Sequence, residues 1–345
     1  MDFSIFSSIT LVVIFLACTL IIWVAGVKIT RAVDAITTYF NLGEAFGGMV
    51  FLAIVTNLPE IAITSVAAYH KDYDIAISNL LGGVAIQTVV LVLIDVFGVG
   101  RSAPLTLKGH SRVLILEGVA LIMILTLVMM AKQFPSQMVF FRSTPLEWLI
   151  LLIWLGSVFS ISRLAKMEGR PVDDGTKLST LRHPKSPFRG GIQSAIWVLA
   201  IGAILTLLAG WALEYSGEIL SKRWNISGVL FGGTILALAT ALPEISTGIA
   251  SAKLRDYNMA VSDIFGGNAF LPVLFLIASL ISGEAVITTL SQSDMYLTGL
   301  GILLTCIYMV GMVLHSRRQV FQMGIDSLCV LLTYLLGLLG LWAMA

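Results

Sequence analysis

Two acids set in apolar surroundings are the residues of this 345-residue chain most able to do chemistry: Glu60, in Thr56-Asn57-Leu58-Pro59-Glu60, and Glu244, in Thr240-Ala241-Leu242-Pro243-Glu244. A charge at the centre of a membrane helix costs about 2.5–3.5 kcal/mol on insertion scales, and a proline there frees backbone groups that lipid cannot satisfy. Pro59 has no N–H for the Val55 carbonyl, and Pro243 none for Ala239. Carbonyls released beside a carboxylate and a threonine hydroxyl make a cluster of hard oxygen donors. Such a set suits sodium or calcium, with no thiolate or imidazole in it.

The neighbouring faces extend the set. Thr56 and Glu60 are one helical turn apart, as are Asn79, Gly83 and Gln87 on the following helix, and Asp263, Gly267 and Leu271 in the second copy. Asn57, Asn79, Gln87 and Asp263 read equally well as cation ligands and as hydrogen-bonding support. Gly83 and Gly267 read either as exposed backbone at the site or as close helix packing. Asn268 has Val84 as its counterpart, so local backbone capping competes with a site role.

The elements holding these residues must span a bilayer. Hydrophobic residues are 57% of the chain and charged ones 12%, more apolar surface than a soluble domain can bury. Apolar windows fall at about 9–27, 46–69, 74–97, 112–131, 146–164, 191–213, 228–253, 258–282, 294–314 and 323–344. This pattern predicts an all-α membrane protein of about ten transmembrane helices. The first window lacks a basic flank and reads as a retained helix.

Residues 48–93 align without a gap on 232–277, with seventeen of forty-six positions identical. Five helices per half place the two copies in opposite orientation, so the fold class expected is two inverted five-helix repeats, the layout of many secondary transporters. The halves are 1–164 and 191–345, with alpha repeats near 44–97 and 228–282 and a polar linker at 165–190. Alternate threading puts sixteen of the 21 Lys and Arg at one set of ends. The positive-inside rule then makes the linker cytoplasmic and both termini external, in a plasma membrane.

The paired segments resemble the alpha repeats of the calcium/cation antiporter superfamily, in its sodium/calcium exchanger branch: Gly-x4-Ala-x2-Thr-Ser-x-Pro-Glu followed by Gly-Ser-Asn. Here Gly48, Ala53, Thr56, Pro59 and Glu60 match the first copy, and Gly232, Ala237, Thr240, Pro243 and Glu244 the second. The resemblance implies a central calcium site formed by Glu60 and Glu244 with oxygens of Thr56 and Thr240, flanked by sodium sites, with Gln87 in the first repeat's amide position. The chain departs from the pattern at Asn57 and Ala241, at Gly83 and Gly267, and at Leu271. Those changes remove flanking hydroxyls and one acid while the central pair survives.

The function expected is therefore secondary antiport of a cation, calcium in exchange for sodium or protons, with magnesium or manganese as alternative divalent substrates. A passive channel and an intramembrane enzyme are the remaining alternatives. The enzyme reading is weak, because His70, His110, His183 and His315 fall in loops or at helix ends. No phosphate-binding Gly-rich loop ending in Gly-Lys-Ser/Thr occurs, so a gradient must drive uphill movement. No cofactor is expected, the partners are small inorganic cations and lipid, and a net charge of +1 gives no case for nucleic acid. Cys18, Cys306 and Cys329 are read as core filler, and Asp173-Asp174 in the linker is too small a set for a calcium loop.

Overall fold

The computed structural model describes residues 5–40, 52–109, 111–133, 141–168 and 191–344. Gly48, His110, His183, Asp173 and most of the linker lie outside them. The first half contains α1 (Ser8–Tyr39), a broken pair α2 (Leu52–Thr56) and α3 (Leu58–His70), α4 (Asp74–Ile94), the short α5 (Leu105–Lys108), α6 (Arg112–Ala131) and α7 (Pro145–Glu168). The second contains α8 (Gly191–Arg223), then α9 (Gly228–Leu230), α10 (Ala237–Thr240) and α11 (Leu242–Lys253), α12 (Tyr257–Phe270), α13 (Leu274–Ser282), α14 (Gln292–Leu314) and α15 (Ile325–Met344). A two-residue hairpin, β1 (Gln319–Val320) and β2 (Met323–Gly324), precedes α15. Among the described residues, eight helices are long and apolar enough to cross a membrane, and the bent α9–α11 run makes a ninth span. Its first-half counterpart, α2–α3, is described only from residue 52.

Several helices outrun their apolar windows. α1 continues to Tyr39 and α8 to Arg223, because a hydropathy window measures only the lipid-facing length of a helix and not its polar ends. The α12–α13 span is interrupted by a tight turn at Leu271–Val273, where Pro272 removes an N–H. Cys18 is buried as expected, but Cys329 is exposed. The outer surface of a membrane protein is itself apolar, so an apolar environment does not mean the core.

The central spans are α4 and α12–α13, each with 78% of its apolar window buried, against 33% for α1 and 28% for α8. α4 and α12 run antiparallel, since Gly83 faces Leu271 while Gln87 faces Gly267. Glycine is required where α4 crosses the start of the second repeat: a Cβ on Gly82 would collide with the Gly233 backbone, and one on Gly232 with the Ile75 carbonyl. Segments 231–236 and 95–99 are wound as π-helix, the wider turn that often marks functional regions.

Contacts at the two ends set the threading. Arg223 donates to the Phe6 carbonyl (2.8 Å), Lys222 pairs with Asp72 (3.7 Å) and Lys71 pairs with Glu284. At the other end Lys108 lies over the Tyr257 ring (5.0 Å), and Asp95 accepts from the N–H groups of Leu105 (2.8 Å) and Gly324 (2.7 Å). The start of α1 and the end of α15 therefore share one end, and the last turn of α7 and the first turn of α8 share the other.

Candidate cation site

Each proline breaks its helix two residues before itself. Asn57 (φ −90°, ψ 18°) and Ala241 (φ −81°, ψ 0°) both occupy the bridge region of backbone space, and α9–α10 meets α11 at 45°. Hydrogen bonding resumes from the Ile61 N–H to the Asn57 carbonyl (3.0 Å) and from the Ile245 N–H to the Ala241 carbonyl (3.1 Å). Pro59 and Pro243 offer nothing to the carbonyls of Val55 and Ala239. The one-turn spacing of Thr56 and Glu60 thus spans a break, with Thr56 closing one segment and Glu60 opening the next.

The outer helices lock onto these breaks crosswise. Gly26 of α1 abuts Pro243, where a Cβ would come within 2.7 Å of the proline ring, and Trp23 donates its indole N–H to Ser246. Gly210 of α8 abuts the first copy, where a Cβ would stand 2.8 Å from Ala62 and 3.1 Å from the Pro59 carbonyl. Gly26 and Gly210 are related by the same offset as the repeats, so extending the alignment into the first helix reveals them.

The breaks bring the two acids together. Glu60 is 0% and Glu244 2% exposed, and their carboxylates are close enough to repel each other. Glu60 also lies beside the Thr240 hydroxyl, whose proton is directed to the Ala237 carbonyl (3.2 Å). The ion pairs seen in the structure lie at the bundle ends, Lys71–Glu284 and Lys222 with Asp72 and Glu218. No basic side chain neutralises the central pair among the described residues.

The remaining residues separate into two groups. Gln87 Oε1 and Asn57 Nδ2 face Gly267, at 3.6 Å and 3.4 Å from where its Cβ would stand. Asp263 accepts from the Thr247 hydroxyl (3.0 Å) and is electrostatically linked to Glu244. The other face is apolar: Gly83 meets Leu271, 3.3 Å from its would-be Cβ. Asn268 is not a local cap. It donates across the molecule to the carbonyl of Val84 (3.3 Å), its own repeat counterpart, and to the Thr88 hydroxyl (3.4 Å). Thr56 is buried at the end of α2.

Sequence reasoning missed Thr247, which fixes Asp263, and Thr64, one turn beyond Glu60. Both carboxylate oxygens of Glu60 and Glu244, both amide atoms of Asn79 and Gln87, and the Thr64 hydroxyl are buried without a hydrogen-bond partner. Native interiors leave few polar groups unsatisfied, so this concentration of unpaired carboxylate, amide and hydroxyl atoms marks the candidate site.

The sodium/calcium exchanger protein family model matches residues 10–162 and 194–343, most of both halves. The chain belongs to the sodium/calcium exchanger family. It is 27% identical over 250 residues to inner membrane protein YrbG of Escherichia coli (strain K12), covering 72% of this chain and 73% of that one. It is 24% identical over 258 residues to the putative antiporter CaxA of Alkalimonas amylolytica, covering 73% and 74%. Its fold is that of the sodium-calcium exchanger NCX_Mj, with TM-score 0.58 at 17% identity over 96% of this chain and 99% of that one. Membership in an exchanger family makes this a multi-pass membrane transporter of cations, with two repeats as the sequence indicated.

Proposed function

We propose that this exchanger carries calcium across a plasma membrane in return for sodium or protons, by alternating access at Glu60 and Glu244. The observation that supports this most is the pair itself: two buried acids from oppositely threaded repeats, neighbours in the interior with no basic partner among the described residues. Two carboxylates neutralise one calcium ion or two monovalent ions. An empty carrier with both ionised would have to hold two dry charges while reorienting, which is prohibitive. Exchange is thereby favoured over leak.

In this reading Thr56 and Thr240 add carbonyl or hydroxyl oxygens, and Asn57 and Gln87 add amide oxygens from one side. Asn79 and Asp263 flank the pair, Gly267 leaves room for the ion, Gly83 seats the Leu271 side chain, and Asn268 ties the two repeats together. The crosswise seating of Gly26 on Pro243 and of Gly210 on Pro59 lets α1 and α8 open one side of the pair while closing the other. With the linker in the cytoplasm and the termini outside, the positive-rich ends face inward.

The test is calcium uptake into proteoliposomes under sodium and proton gradients imposed separately. Glu60→Gln and Glu244→Gln should each lower counter-ion-driven calcium flux by at least about 100-fold, roughly 2.7 kcal/mol. Full exchange in both variants rejects the reading. Stronger competition by magnesium or manganese than by unlabelled calcium would reassign the substrate, and linear flux with no counter-ion dependence would make the protein a channel.

A further inference from the structure

One of the buried acids outside the central pair keeps an oxygen free beside a cavity. Glu117 of α6 is 2% exposed, accepts from the Ser262 hydroxyl of α12 (2.6 Å) through one oxygen, and leaves the other without a partner. That carboxyl borders a cavity of about 20 Å³ between α6, α7 and α12, lined also by Trp154, Ser157, Ile161, Phe265 and Gly266. The space admits one water-sized guest. Among the described residues no ion pair reaches Glu117; the pairs seen lie at the opposite end, Lys71 with Glu284 and Lys222 with Asp72 and Glu218. Glu117 lies five residues from the start of α6, about 8 Å at helical rise, at the end of the bundle that carries the linker.

We propose that Glu117, Ser262 and this cavity form a proton-binding site, separate from the central acids, through which α12 links proton uptake to cation binding. A dry carboxylate with no cation partner favours its neutral form. Proton loading is simple chemistry: the carboxylate and a hydronium ion in the cavity give the carboxylic acid and water. Consecutive residues of α12 connect the two places, since Ser262 holds Glu117 while Asp263 holds Thr247 one turn from Glu244. Positive charge arriving at the central pair favours ionised Glu117 and expels its proton. By linkage, a proton on Glu117 weakens cation binding to the same degree. The inference rests on the exchange reading for its coupling but not for the proton site itself.

Two measurements on the purified full-length protein test it. In weakly buffered calcium titrations followed with a pH dye, the unaltered protein should release roughly one proton more per calcium than Glu117→Gln, which keeps an acceptor for Ser262. In infrared titrations without any added cation, a protonated-carboxyl band should grow in on acidification and be missing in Glu117→Gln. Ser262→Ala, which removes the donor to the ionised form, should shift that band to higher pH. Equal proton release with unchanged infrared titrations overturns the proposal, as does a Glu117 band of constant size at every pH. If neither protein binds calcium, the exchange reading fails instead, and the infrared titration still decides the proton site.

Discussion

The two repeats share their scaffold and differ in what they present to the cation. Gly267 is faced by the amides of Asn57 and Gln87, whereas the equivalent Gly83 is faced by the methyl of Leu271. The carboxylate of Asp263 stands near Glu244, while its counterpart Asn79 is neutral. Duplication therefore conserved the breaks and the acid pair, which fix the charge, and let the flanks diverge. A cation between Glu60 and Glu244 should sit off-centre, toward Gln87 and the linker-bearing end.

The largest effect should come from a second repeat-related pair, Gly82 and Gly266. A Cβ on Gly82 collides with the Gly233 backbone, which cannot yield, whereas one on Gly266 meets open space. Gly82→Ala should cost about 3 kcal/mol or more and abolish recovery of monodisperse protein. Gly266→Ala should lie within about 0.5 kcal/mol of the unaltered protein, as thermal unfolding in detergent would show. Equal behaviour of the two variants would remove the structural asymmetry.

Next in size is the exchange of amide and methyl. Gln87→Leu removes one of the two amides on the polar face and should weaken calcium binding by about 1.5–3 kcal/mol, the worth of a hydrogen-bonding oxygen to a charge, read by isothermal titration. Leu271→Gln adds an amide facing Gly83 and should leave affinity unchanged or tighten it. A loss in Leu271→Gln as large as in Gln87→Leu would mean that both faces bind the ion equally. The smallest effect is expected from Asp263→Asn, a threefold to tenfold drop of about 1 kcal/mol from removing a screened charge near Glu244. Asn79→Ala should change affinity less than Asp263→Asn does.

Much of this was legible because it is costly. Prolines and acids inside membrane spans persist only where structure requires them, so Pro59, Glu60, Pro243 and Glu244 stood out, and the inverted repeat followed from their recurrence. Glu117 carries the same signal as an acid in an apolar run but has Gly301 as its counterpart, so the internal repeat does not mark it. Asp95 sits in an apolar window too, yet its oxygens are taken by Leu105, Gly324 and Ser327. It clamps the linker-end loops, and no spacing in the sequence separates that role from ion binding. The bond from Asn268 to Val84 was hidden for another reason: it joins repeat-related positions face to face, which a linear alignment registers only as a mismatch.

The most direct test is to locate the ion itself. A structure of the purified exchanger with strontium as an anomalous surrogate for calcium should show one strong peak about 2.3–2.6 Å from carboxylate oxygens of both Glu60 and Glu244, displaced toward Gln87. A peak bound to only one of the two acids, or one centred against Leu271, would contradict the account.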